Sequence, residues 1–352
     1  DDPTEAAARV RAVRTRELTR AAMSDLLGGV NPRGHAIADA TDAALLGALA
    51  IAGREDAERW GAERARVAFV AMGRYGGREC SYASDADVIA LHEAVGGASD
   101  SEAAASATAI VNRVKKLLGS ATSQLGIVVD LDLRPEGKNG PMSRTIASHE
   151  EYAQRWASTW ERQAAVRARP IGDGELAQAA RSLFESMAYR DVSAAEVRDI
   201  RLLKARMENE RLPRGTEPAR HVKLGPGGLT DVEWTIQLIQ MRHGREVEAL
   251  RTSSTTDAIA AARDAGLLGA SDAEILLNAW DLATRIRAGN TLATGRMSGV
   301  KLDVVPRDSA ELGALAAILG YGSGGLTALE EDWLRAARQA RDVMERAFWE
   351  QQ

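Results

Sequence analysis

The hydrophobic pattern divides the chain into stretches of different period. Up to about residue 63, Ala, Leu, Ile and Val recur at helical spacing, and the run TEAAARVRAVRTRELTRAAMSDLL meets no breaker before Gly28. Asn31-Pro32-Arg33-Gly34 signals a turn, and a second helix is predicted over about 38–62. The pattern changes at Arg66. RVAFVAMG is a short apolar run ending in Gly73, which predicts a buried strand. A Gly-rich loop follows, then DADVIALHE (85–93) as a second strand and a helical pattern over 99–124. GIVVDLDLRP (126–135) alternates apolar and acidic residues, the period of a half-exposed strand. EGKNGP (136–141) reads as a loop.

From about residue 148 the pattern is nearly all helical. Tyr152, Trp156 and Trp160 recur at four-residue spacing and read as one packed helix face. Further helices are predicted over 194–210, 230–243, 255–266, 271–290, 308–319 and 327–349. The expected fold class is therefore α+β. N-terminal helices (1–63) pack on a small mixed sheet domain (64–193), and an all-α helical bundle (194–352) follows.

Composition narrows the function classes. A chain of 352 residues predicts two domains. The charged fraction of 27% is that of a globular protein, and no apolar run reaches the roughly 20 residues of a membrane helix. A membrane partner is therefore not expected. The net charge of −5 argues against a nucleic-acid-coating surface. Cys80 is the only cysteine, which excludes a disulfide framework and a cysteine-rich zinc site and suits a reducing cytoplasm. The five histidines lie at no metal-ligand spacing. The opening DDPTEAAARVRAVR has no initiator Met and no signal core, the expectation for a domain cut from something longer.

The chemistry concentrates in GGRECSYASDADVIAL, which starts at Gly76. Gly76 and Gly77 follow a predicted strand, and Ser84 precedes Asp85-Ala86-Asp87 at the start of the next. Alternate strand positions face one side, so Asp85 and Asp87 present two carboxylates together. Adjacent carboxylates repel and call for a cation or a shared proton. Mg²⁺ suits them, because it takes carboxylate and phosphate oxygens. Two-metal transfer sites, with ions roughly 4 Å apart, need a third carboxylate, and Asp130 in VVDLDLRP is the best candidate. Glycines at 76 and 77 would let backbone amides approach triphosphate oxygens. Arg134 reaches either phosphate or Asp132, and Lys138 lies in a loop that reaches nucleotide, protein substrate or solvent. For Glu161, Arg167 and Arg169 the simplest reading is internal salt bridging. Asp231 and Glu233 read as acidic residues in the first turn of a helix. A strand, Gly-Gly, a spacer, Asp-x-Asp and a later acidic strand together form a nucleotidyltransferase signature.

MGRYGGRECSYASDAD resembles the corresponding stretch of glutamine synthetase adenylyltransferases. The resemblance continues in VDLDLRPEGKNGP, WASTWERQAAVRARPIGD, IRLLKARMENERLPRG and HVKLGPGGLTDVEWTIQLIQMRH, and ends in RQARDVMERAFW. It covers about residues 66–349, with Cys80, Ala86 and Val88 as departures. Enzymes of this family carry two similar halves, one adding AMP to glutamine synthetase and one removing it. The Thr230-Asp231 pair and the chain end resemble the adding half. The resemblance implies a cytoplasmic, Mg²⁺-dependent adenylyltransferase that moves AMP from ATP to a tyrosine of glutamine synthetase. Asp85, Asp87 and Asp130 would be its metal ligands and catalytic residues, and Gly76, Gly77, Ser84, Arg134 and Lys138 its nucleotide contacts. The deadenylylating half, or a module binding a PII-type signalling protein, is the alternative.

Overall fold

A computed structural model describes residues 3–27, 33–119, 126–322 and 325–350. The predicted turn at Asn31-Pro32, the breaker at Gly28 and the end of the 99–124 helix lie outside the described residues. Two compact units emerge. The first runs to Ala188, except for short segments around Asp25 and Tyr82, which group with the second; the rest of the second begins at Tyr189.

In the first unit, helices α1 (Pro3–Leu26) and α2 (Arg33–Trp60) precede β1 (Ala65–Ala71). A single helical turn, α3 (Gly73–Gly76), leads to β2 (Ala86–Ala94), α4 (Asp100–Leu118) and β3 (Val129–Asp130). Then come α5 (Ile146–Arg155), α6 (Thr159–Ala165), β4 (Arg169–Pro170) and α7 (Glu175–Ala188). The sheet order is β3-β2-β1-β4, with β1 antiparallel to both β2 and β4, and β2 parallel to β3. This is the mixed sheet the sequence predicts. The central strand β1, ARVAFVA, is buried at every position except Arg66, as a strand covered on both faces requires.

Three sequence expectations change. The 126–135 stretch is a strand only at Val129–Asp130, because the Asp130 carboxylate accepts the Asp132 N–H at 2.7 Å and turns the chain. Tyr152, Trp156 and Trp160 do not share a helix face. Helix α5 ends at Arg155, and Trp156 and Trp160 are 72% and 41% exposed. Helix α2, over Gly34–Trp60, is long and apolar enough by composition to cross a membrane. Asp39 and Asp42 interrupt it in the sequence, which hides this. In the fold it is a core helix packed on α4, with Ile37, Ala38, Ala44, Leu45 and Ala48 buried and Asp42 ion-paired inside the unit.

The second unit contains α8 (Ala194–Glu210), α9 (Leu229–His243), α10 (Thr255–Asp264), α11 (Ala270–Thr294), α12 (Ser309–Ile318) and α13 (Gly325–Met344), which continues as a π-turn through Glu350. These match the predicted helical bundle. Its apolar core joins Val232, Ile236, Ile259, Leu276, Ile286 and Trp333. Ser193 with Glu196, and Ser254 and Asp308 alone, cap the N-termini of α8, α10 and α12. Buried Lys204 of α8 is ion-paired with Glu208 and with buried Asp231 of α9, and Asp231 also meets Arg341 of α13 at 3.1 Å. The other Asp231 contact, from the Gly227 N–H at 2.8 Å, ties down the glycine turn before α9.

Candidate functional site

The strand pairing brings two of the three predicted carboxylates side by side. Strands β1 and β2 pair from Ala65↔Ala94 to Ala71↔Val88, and the Met72 N–H then donates to the Asp87 carbonyl at 2.8 Å. On the other edge of β2, Ala86 pairs with Val129 and Asp87 with Asp130. Neighbouring strands lie about 4.8 Å apart, and partners in a parallel pair project to the same face. Asp87 and Asp130 therefore stand next to each other, both half-buried. Asp85, expected at the start of this strand, is exposed and lies just before β2, which begins at Ala86. Among the described residues, no three His, Cys, Asp or Glu side chains converge closely enough to enclose an ion. The donor chemistry of the pair, hard carboxylate oxygens only, fits Mg²⁺ rather than a softer metal.

The glycine turn faces this pair through a residue that sequence reading passed over. Gly73, with φ +54°, is half-buried, and a Cβ there would lie 3.3 Å from the Asp87 carboxylate. Gly76 and Gly77 are buried. A Cβ on Gly76 would lie 1.8 Å from the Arg167 carbonyl oxygen, so the close approach that glycine permits there is to protein backbone. Gly77 closes the turn, donating its N–H to the Gly73 carbonyl at 3.1 Å. Ser84 sits half-buried just before Asp85.

Buried Arg167 and half-buried Arg169 hold the turn through its carbonyls. Arg167 Nε donates to the Gly73 carbonyl at 3.2 Å, and its guanidinium pairs with Glu79. Arg169 Nε donates to the Gly76 carbonyl at 3.1 Å. Its two terminal nitrogens grip Asp42 at 2.7 and 3.0 Å, and one also reaches the Tyr75 carbonyl at 3.4 Å. Tyr75 donates its hydroxyl to the same Asp42. Burial and then Asp42 push the Tyr75 phenol well above its ordinary range, so it stays protonated. Burial pushes the Cys80 thiol up to about 12, which makes it an inert packing group.

The loop after Asp130 is braced by Arg134, which is buried. Its guanidinium donates to the carbonyls of Leu131 (2.9 Å), Lys138 (3.0 Å) and Gly140 (3.2 Å), with Asp132 more distant at 3.9 Å. Lys138 is largely exposed and lies 3.3 Å from Asp132. Glu136 sits in the left-handed region at φ 63° and pairs with Arg144 at 2.8 Å. Glu161 caps α6, taking the Ser158 N–H and hydroxyl at 2.8 and 2.7 Å and the Tyr152 hydroxyl at 2.8 Å. The ionic pairings of Arg167 and Arg169, and the first-turn position of Asp231 in α9, follow the sequence reading. The carbonyl contacts of the arginines carried no sequence signal.

The model of the glutamate-ammonia ligase adenylyltransferase family matches residues 1–183, and that of the GlnD PII-uridylyltransferase family matches residues 201–348. Three relatives, each a bifunctional glutamine synthetase adenylyltransferase/adenylyl-removing enzyme, are similar over nearly the whole chain. The one from Streptomyces coelicolor is 43% identical over 99% of this chain and 36% of its own length. That from Bifidobacterium longum subsp. infantis is 42% identical over 99% and 33%. That from Mycobacterium marinum is 40% identical over 99% and 35%. The chain thus spans about a third of the length of the curated relatives it matches.

Proposed function

The chain belongs to the glutamate-ammonia ligase adenylyltransferase family, and on that premise we propose that it transfers AMP from ATP to a tyrosine hydroxyl of glutamine synthetase. The observation that carries this reading is the Asp87–Asp130 pair, set on one sheet face beside the Gly73 turn. Asp85, Asp87 and Asp130 would hold Mg²⁺. When bound, the metal supplies charge neutralisation at the triphosphate and lowers the pKa of the attacking hydroxyl. The tyrosine oxygen forms a bond to the α-phosphorus, the bond from that phosphorus to the bridging oxygen breaks, and pyrophosphate leaves. Asp130 accepts the tyrosine proton through the carboxylate oxygen not held by the Asp132 N–H. Lys138, exposed at the rim of the loop, meets the departing charge. The single buried thiol suits a cytoplasmic setting.

The match of residues 201–348 to the PII-uridylyltransferase model favours a second role for the helical unit, the binding of a PII-type signalling protein that tunes transfer. Catalysis is tested with Asp87→Asn and Asp85→Asn. Each should lower AMP incorporation by at least a hundredfold, roughly the loss seen when a transition-state contact is removed, with circular dichroism unchanged. Near wild-type transfer by either variant would remove that residue from the site.

A further inference from the structure

We propose that Arg167 and Arg169 are positioning residues for the nucleotide: through the carbonyls of Gly73, Tyr75 and Gly76 they fix the peptide planes of the turn that lies against the triphosphate. The inference rests on the reading above that ATP binds beside Asp87. The Arg167 side chain is 4% exposed and that of Arg169 17%, and both guanidinium groups are engaged by a carboxylate and by the turn's carbonyls. What they touch is the turn itself. In a trans peptide the C=O and the following N–H point in opposite directions. An arginine that holds the Gly73 carbonyl thereby aims the Arg74 N–H away from itself, while the contacts to Tyr75 and Gly76 fix the peptides two and three further on, whose N–H groups donate within the turn to the Met72 and Gly73 carbonyls.

The arginines are themselves fixed. Asp42, from α2, grips Arg169 with both oxygens and takes the Tyr75 hydroxyl, while Glu79, just past the turn, pairs with Arg167. Burial disfavours the charge on Arg169, and the Asp42 carboxylate more than offsets it. A bidentate guanidinium has a rigid planar fork that a lysine ammonium lacks. Arg169 has Nε on Gly76 and both terminal nitrogens on Asp42, so one planar group sets two distances at once. Gly76 completes the arrangement, because its missing side chain lets the turn lie directly on the Arg167 carbonyl. Two ion pairs, Arg169 with Asp42 and Arg167 with Glu79, thus converge on one short turn.

The test compares Arg169→Lys, Asp42→Asn and Glu79→Gln with wild type. MgATP affinity is measured by titration calorimetry, AMP transfer by steady-state kinetics with both substrates varied, and folding by thermal denaturation. Arg169→Lys and Asp42→Asn should raise the Kd and KM for MgATP about tenfold or more, the order expected of an ångström-scale displacement of contact groups. The KM for the protein substrate and kcat should stay within about threefold. Glu79→Gln, acting on the other arginine, should shift MgATP affinity in the same direction. Unchanged MgATP affinity in these variants, with only a fall in melting temperature or in active fraction, would overturn the positioning role and leave the nucleotidyl-transfer reading standing. A wild-type chain that binds no MgATP would overturn both.

Discussion

At the scale of single residues, the clearest titration belongs to His149. It is 1% exposed on α5, and burial, followed by the nearby Arg144 charge, lowers its pKa from the ordinary 6.5 to about 4. The imidazole is therefore neutral in the fold and takes up its proton more readily when unfolded. A folded pKa below the unfolded one means full stability above about pH 6.5 and loss as pH falls toward 4. Between about pH 6.5 and 5.5 this one group should remove about 1 kcal/mol. Urea denaturation of wild type and His149→Gln at both pH values checks it, the variant lacking that increment. The adjacency of Asp87 and Asp130 is legible from acidic residues within two apolar stretches read as strands, whereas Asp85 falls just outside β2. Gly73 was not legible, since only the fold reveals which glycine faces Asp87. Arg134 was ambiguous for a related reason: its contacts are backbone carbonyls, which leave no partner to read in the sequence.

At the scale of elements, the turn after β1 depends on an absent side chain. Gly76→Ala would force a Cβ into the Arg167 carbonyl and should destabilise the first unit by about 3 kcal/mol, as overpacking does. Thermal denaturation measures this, and a neutral result would mean the turn can move. The ion cluster joining α8, α9 and α13 makes a second prediction. Lys204→Met leaves Asp231 buried with one cation fewer, and should cost about 3 kcal/mol in urea denaturation. The bundle helices are readable to within a few residues at most ends, because apolar residues recur at helical period; the fold adds the caps Ser193, Ser254 and Asp308 at three of the starts. The 126–135 stretch misled because alternation says nothing of the side-chain turn at Asp130. The Trp156 and Trp160 spacing misled because the helix breaks between them.

At the scale of the whole molecule, the chain combines a mixed-sheet unit that carries the proposed transfer chemistry with a helical unit matched by a different family model. The relatives are bifunctional by name and about three times as long, so the direction of the reaction is the question this chain alone must answer. Addition needs a tyrosine hydroxyl at the α-phosphorus, whereas removal needs phosphate or water there; on the proposed reading the same carboxylates would serve either. On the proposed reading, selectivity would fall to the groups that admit the nucleophile, for which the Glu136–Gly140 loop, braced by Arg134 and Arg144, is our candidate. The most direct measurement supplies the purified chain with unmodified glutamine synthetase, labelled ATP and Mg²⁺, and separately with adenylylated glutamine synthetase and phosphate. AMP found by mass spectrometry on a tyrosine in the first reaction, with little AMP lost in the second, is the predicted result. Rapid AMP loss in the second with no gain in the first would contradict it.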